Sequence, residues 1–261
     1  MTIPDDYGWK RFARTGATLA GALALIGGVG VGGAQARKSV AHSRALPLEA
    51  ARLIVEYNSS AQDIGVQAFL DSEGWRDVEI FDPRGTKIFE AEASGRLLQQ
   101  GGGTELFLES VEPGLDELPV EEFLKRFPAG EYRFRGHSPE GDRLTATAKF
   151  SHVIPDGPMV TAPTAPGGAC PSGVAIPTVI SWNPVTTAID GGPAEIVRYE
   201  VIVENESAGL NFDVIAPAAV GTQVTVPMEI LEPDTDYIFE VLAIEKGGNQ
   251  TITEGCFRSA S

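Results

Sequence analysis

The stretch Tyr132–Phe150, YRFRGHSPEGDRLTATAKF, alternates between two kinds of side chain on both sides of a turn. Tyr132, Phe134 and Gly136 interleave with Arg133, Arg135 and His137. Beyond the turn, Leu144, Ala146, Ala148 and Phe150 interleave with Arg143, Thr145, Thr147 and Lys149. Period two sends successive side chains to opposite faces of a strand, so each arm has one face to bury and one to wet. Pro139-Glu140-Gly141-Asp142 supplies turn chemistry between the arms. The stretch predicts a β-hairpin packed by one face, which is a building block of a β-sandwich.

Upstream the pattern repeats. Val78–Phe81 and Thr86–Glu90 flank Asp82-Pro83-Arg84-Gly85, where proline presets φ and glycine tolerates a positive one. Ala51–Asn58 (ARLIVEYN) and Gly65–Leu70 are aliphatic and β-branched, and Thr104–Leu108 follows the turn Gly101-Gly102-Gly103. No GK[ST] follows those glycines, so they do not make a phosphate cradle. In Leu118–Phe127, Val120, Phe123, Leu124 and Phe127 fall instead at helical spacing, with Pro119 suited to a first turn. These readings give an N-terminal β-sandwich with one short helix over residues 49–157.

Downstream, 153–173 is rich in proline and glycine and reads as a linker, with the boundary close to Pro158. Strands are then predicted at Thr178–Trp182, Val197–Glu204, Phe212–Ala216, Gln223–Val226, Tyr237–Ile244 and Ile252–Phe257, with no long helical period among them. Trp182 ends TVISW. Tyr199 lies within IVRYEVIVE, and LEPDTDY, 231–237, precedes IFEVLAIEKGGN. Together these resemble a fibronectin type III module over roughly 159–259. The resemblance implies a buried Trp182 in the second strand, a core Tyr199 in the third, and Tyr237 as a tyrosine corner bonded to upstream backbone. It also places Cys170 and Cys256 in the first and last strands, and it implies no activity. Arg52–His152 resembles domains of uncharacterised exported bacterial proteins, and FPAGEYRF, 127–134, is similar to a late-strand pattern of immunoglobulin-like sandwiches. The fold class expected is all-β, two sandwiches in series.

The beginning of the chain differs. Lys10, Arg11 and Arg14 precede the uncharged apolar run Ala17–Gly33, and Ala34-Gln35-Ala36 offers a small-residue cleavage site. Residues 1–36 read as a secretory signal cleaved after Ala36, with an uncleaved anchor as the alternative. Repeated glycines disfavour a durable spanning helix, so no stable membrane span is expected after cleavage. Residues 37–48 read as a flexible leader. Export to the periplasm or the cell exterior would put Cys170 and Cys256, the only two cysteines, where a disulfide persists.

The net charge of −16, from 36 acids and 20 bases, excludes nucleic acid as a natural partner because phosphate backbones would be repelled. Three histidines, His42, His137 and His152, with no GxSxG elbow or HExxH, support neither a serine triad nor a zinc site. The six acids between Glu109 and Glu122 read as charges at a helix N-terminus, with calcium ligation as the alternative, although the spacing fits no EF-hand loop. No cofactor is expected. Asn58-Ser59-Ser60, Asn205-Glu206-Ser207 and Asn249-Gln250-Thr251 match glycan acceptors by accident. The reading is a noncatalytic exported binding or scaffold protein with a protein partner. The alternatives are a carbohydrate-binding accessory, with Trp75 as the stacking contact to glycan, and a hydrolase using a carboxylate pair near Glu109–Glu122.

Overall fold

The computed structural model describes residues 44–205 and 207–261. The signal segment, its cleavage site, His42 and most of the leader lie outside them. The elements are β1 (Ala45–Pro47), β2 (Ala50–Asn58), β3 (Asp63–Trp75), β4 (Asp77–Phe81), β5 (Lys87–Glu92), helix α1 (Gly95–Gln99), β6 (Gly103–Glu109), helix α2 (Val120–Arg126), β7 (Gly130–His137) and β8 (Arg143–Phe150). They continue as β9 (Val160–Ala162), β10 (Thr178–Trp182), β11 (Ile196–Asn205), β12 (Leu210–Pro217), β13 (Gln223–Val226), β14 (Asp236–Glu245) and β15 (Gln250–Arg258). Among the described residues no helix is long and apolar enough to cross a membrane.

The fold is all-β and consists of two sandwiches. In the first, the sheet β1-β8-β7-β4-β5 faces β2, β3 and β6. Their inward residues, with Phe123 of α2, form one buried apolar core that includes Val55, Leu70, Ile80, Tyr132, Phe134 and Phe150. In the second, β13-β10-β9 faces β12, β11, β14 and β15 around Ile180, Trp182, Tyr199, Val201, Phe239 and Phe257. The period-two hairpin is realised as β7 and β8, with Gly136 opposite Leu144 and Tyr132 opposite Ala148.

The expected aromatic positions hold. Trp182 lies 5.1 Å from Tyr199, centroid to centroid. The Tyr237 hydroxyl donates to the Ile230 carbonyl at 3.2 Å and accepts from the Glu232 N–H at 2.7 Å. The first sandwich repeats the device: the Tyr132 hydroxyl donates to the Pro128 carbonyl at 3.2 Å. Cys170 and Cys256 form a disulfide.

Three local expectations are corrected. The end of the leader is ordered, because β1 pairs in parallel with β8 and the Arg44 N–H donates to Asp142. Cys170 lies outside any strand, after β9, whereas Cys256 is in β15. Helix α1 appears where no apolar period announces it, since none of its residues is buried.

The sandwiches are not merely strung together. Strand β15 pairs in parallel with β2, with Gln250 opposite Glu56 and Ile252 opposite Asn58, so that β12-β11-β14-β15-β2-β3-β6 is one seven-stranded sheet. The connecting segment is pinned as well. Ile154 is buried in the first core, its carbonyl accepts from the Ile189 N–H, and the Pro155 carbonyl accepts from the Thr251 hydroxyl.

Candidate functional site

The alternation of each strand decides what the shared sheet shows on its outer face. Leu53, Val55 and Tyr57 enter the first core, so Arg52, Ile54 and Glu56 point the other way. By register the same face carries Gly65, Gln67 and Phe69 of β3 and Phe107 and Glu109 of β6. Across the seam it carries Gln250 and Ile252 of β15, Leu242 and Ile244 of β14, Arg198 and Glu200 of β11, and Ile215 of β12. Ile202, Leu242, Ile244 and Ile252 make a small third core there. Phe107 and Ile215 lie on the two edge strands yet line one cavity of about 260 Å³, so the face is concave. A cleft thus lies between the outer faces of the two sandwiches.

A polar clasp fixes this geometry. Asn249, 1 % exposed, accepts from the Val55 N–H at 2.9 Å and donates to the carbonyls of Ser151 and Val153. It therefore ties β2, the connector and the β14–β15 turn together, and its amide is wholly engaged rather than open to glycosylation. The turn is aimed by Glu245, whose carboxylate accepts from the N–H groups of Gly247 and Asn249. Gly248, at φ 103°, supplies the conformation that other residues avoid. Nearby, the Ser59 hydroxyl donates to the Ile252 carbonyl and the Asn58 amide to Glu254.

One end of the cleft is acidic. Carboxylate oxygens of Glu56, Glu109 and Glu112 lie within 4.8 Å of one another. Gly65 makes this approach possible: it stands opposite Glu56, and a Cβ there would come within 2.8 Å of both Glu112 and the Ser110 hydroxyl. Burial, then the charges of Glu56, Glu109 and Asp63, push the Glu112 pKa up to about 8. Burial and Glu254 also raise that of Asp63. Among the described residues, one oxygen each of Glu112 and Asp63 is buried without a hydrogen-bond partner. Such oxygens can hold a hard cation, or a proton in its place. The other acids of the predicted group go elsewhere. Glu121 and Glu122 sit in the first turn of α2, as a helix N-terminus favours.

The other end is cationic. Arg52, Arg198 and Lys246 line the cavity against one acid, Glu200. The Arg52 guanidinium lies 5.1 Å from the Phe69 ring centroid, and its pKa is lowered by burial and then by Arg198. Gln67 and Gln250 mark the border between the two ends, because each lines the cavity and donates to an acid of the cluster, Glu109 and Glu56 respectively.

The remaining candidates lie away from the cleft. Trp75, the stacking contact of the carbohydrate-binding alternative, is 7 % exposed and packed over Gly103, where a Cβ would fall 2.4 Å from the indole. The strand β3 runs on through 71–75 instead of looping, which turns the ring inward and leaves no stacking face. His137 pairs with Asp77 at 2.8 Å, and His152 bonds the Phe127 carbonyl at 2.8 Å, on different elements. What sequence reasoning missed are Arg52, Gly65, Arg198 and Asn249. The alternation does place both arginines on the outer face of their strands.

No family model matches the chain, and no curated protein does. Among solved structures, a two-domain fibronectin type III segment of chicken tenascin is 14 % identical over 81 % of this chain and 99 % of that one, with a TM-score of 0.29. The FN1–FN3 domains of chicken CNTN1 are 15 % identical over 82 % and 66 %, with a TM-score of 0.30. A tetra-tandem repeat from the extending region of a large adhesion protein is 15 % identical over 80 % of this chain, which spans about half (49 %) of that structure, with a TM-score of 0.28.

Proposed function

We propose that this chain is a noncatalytic binding or scaffold protein working in the periplasm or outside the cell. In this reading an N-terminal immunoglobulin-like unit and a fibronectin type III-like unit meet near Pro158 and present their cleft to a protein partner. The observation that carries it is the seam. A seven-stranded sheet common to both sandwiches, locked by Asn249, gives a fixed concave surface instead of two modules on a swivel. A preformed surface spares the ordering cost that a hinged pair would incur on binding. The disulfide suits an oxidising compartment.

One rival is weakened: Trp75, the ring offered for a carbohydrate platform, is buried.

The test is photo-crosslinking in the native envelope, with the reactive amino acid placed at Gln67 in the cleft or at the exposed Glu92 of β5, the edge strand of the other sheet. One protein adduct of constant mass from Gln67, absent from Glu92, is the expected result. Equal labelling from both positions would remove the cleft from the reading, and glycan in the adduct would replace the protein partner with a carbohydrate.

A further inference from the structure

The outer face of the sheet β1-β8-β7-β4-β5 has its charges sorted by strand. Val78, Ile80, Phe134 and Leu144 enter the first core, so their neighbours along each strand point outward. Register sets those neighbours in rows from β8 to β5. One row runs Arg143, His137, Asp77, Glu92, and the next runs Thr145, Arg135, Glu79, Glu90. In both rows the bases stand on β7 and β8 and the acids on β4 and β5. The halves do not neutralise each other within the chain. Arg135 is opposite Glu79, yet its guanidinium lies 5.2 Å from the Phe81 ring centroid, while Glu79 takes Lys87 at 3.1 Å. Exposed Arg143 and Glu92 form no ion pair among the described residues, and of the opposed pairs only His137 and Asp77 bond, at 2.8 Å.

A face sorted in this way is complementary to itself. A two-fold axis lying in the face, along the strands and between β7 and β4, lays β7 of one copy on β4 of the other and β8 on β5, row for row. Arg135 then stands over the copy's Glu79, Arg143 over its Glu92 and Thr145 over its Glu90, and each contact occurs twice. A two-fold axis across the strands would instead lay the basic strands on each other. The face also has room for the incoming carboxylates: a hollow of about 560 Å³ lined by Arg135, His137, Arg143 and Thr145 lies where Glu90 and Glu92 of the copy arrive. Sheets stacked with aligned strands sit about 10 Å apart, within the combined reach of arginine and glutamate side chains.

We infer that two copies of this chain associate through these faces as an isologous dimer, with Arg135 and Arg143 of each meeting Glu79, Glu90 and Glu92 of the other. A face this polar makes a weak, salt-sensitive dimer rather than an obligate one. The cleft lies on the other sheet and stays open, so the dimer displays two of them. The inference is independent of the protein partner proposed above, and either can fail alone. A photo-adduct from Glu92 of twice the chain's mass would be this dimer, whereas the cleft's partner is read from Gln67.

The experiment is sedimentation velocity of the full chain at about 20 mM and about 500 mM salt, where screening differs most. A monomer–dimer equilibrium is expected at low salt, at least tenfold weaker at high salt. Arg135→Glu and Glu79→Arg should each weaken the dimer at least tenfold, because each sets like charges over one another at both symmetry-related contacts. An equimolar mixture of the two variants should dimerise again, since every altered residue then meets its opposite. Arg258→Glu, in the second sandwich, makes the same change in net charge and should leave the dimer intact, and a thermal melt establishes that each variant is folded. A chain that stays monomeric at low salt up to about 100 μM would overturn the inference. So would a dimer unchanged in either folded variant, a dimer weakened equally by Arg258→Glu, or a mixture no tighter than the variants alone.

Discussion

The two ends of the cleft meet the same physical problem and resolve it differently. Each crowds like charges on a half-buried surface, where desolvation and repulsion both disfavour the charged form. Glu112 yields: with its pKa at about 8 it keeps a proton at neutral pH, and the acidic end relaxes. Arg52 is pushed in the corresponding direction, but guanidinium stays ionised in proteins. A crowded carboxyl can take up a proton, whereas a crowded guanidinium keeps its charge. The same crowding therefore leaves a quenched patch at one end and a persistent field at the other.

The strongest way to break the comparison is to part the two ends. Asn249→Ala leaves the Val55 N–H and two connector carbonyls without partners, and should cost about 3 kcal/mol in urea unfolding. A loss below about 0.5 kcal/mol, the range of ordinary surface substitutions, would mean that the seam is held by something else. Gly65→Ala attacks the acidic end alone. Its Cβ meets Glu112 and Ser110 at 2.7–2.8 Å, so a loss of about 1–3 kcal/mol is expected on unfolding, with Glu112 expelled toward solvent.

Titration sharpens the contrast. Between about pH 4.5 and 8 the folded chain holds a proton on Glu112 that the unfolded chain releases, so stability falls as pH rises through that window. Discounted for solvent screening of a half-buried group, the fall is about 2 kcal/mol. Glu112→Gln should flatten this part of the pH–stability curve, and an unchanged slope would assign it to other groups. The smallest effect belongs to the cationic end. Arg198→Gln relieves the repulsion on Arg52 and should stabilise the chain by about 0.5 kcal/mol, less at high salt. A destabilisation instead would mean that Arg198 is a packing residue.

What could be read from the sequence is what alternation encodes locally. The β7–β8 hairpin and all six strands predicted beyond Pro158 follow from period two and turn chemistry within short windows, whereas the roles of Trp182, Tyr199 and Tyr237 are what the fibronectin type III resemblance implies. The cleft does not, because it depends on pairs with no local signature. Arg52 and Arg198 alternate with core residues on their strands, yet nothing near either says that the two outer faces meet across one seam. The closeness of Glu112 to Glu56 depends on the missing side chain of Gly65, far along the chain. Asp71-Ser72-Glu73-Gly74 has turn composition, which left Trp75 open to a stacking role, whereas β3 shifts register there and pairs with β6 again at Trp75 opposite Gly103.

The β2–β15 ladder also sets an order of events during synthesis. Val55 and Asn249 are separated by 194 residues, so β2 leaves the ribosome long before the strand that completes its free edge exists. At a translation rate of about 5–20 residues per second, that interval is at least several seconds. Until then the first sandwich can form its own core but carries a row of unpaired N–H and C=O groups, a template on which a second nascent chain could pair. Closing so long a loop is also the slowest kind of contact to find. The junction that gives the mature chain its cleft is thus its period of greatest exposure to misassembly while it is being made.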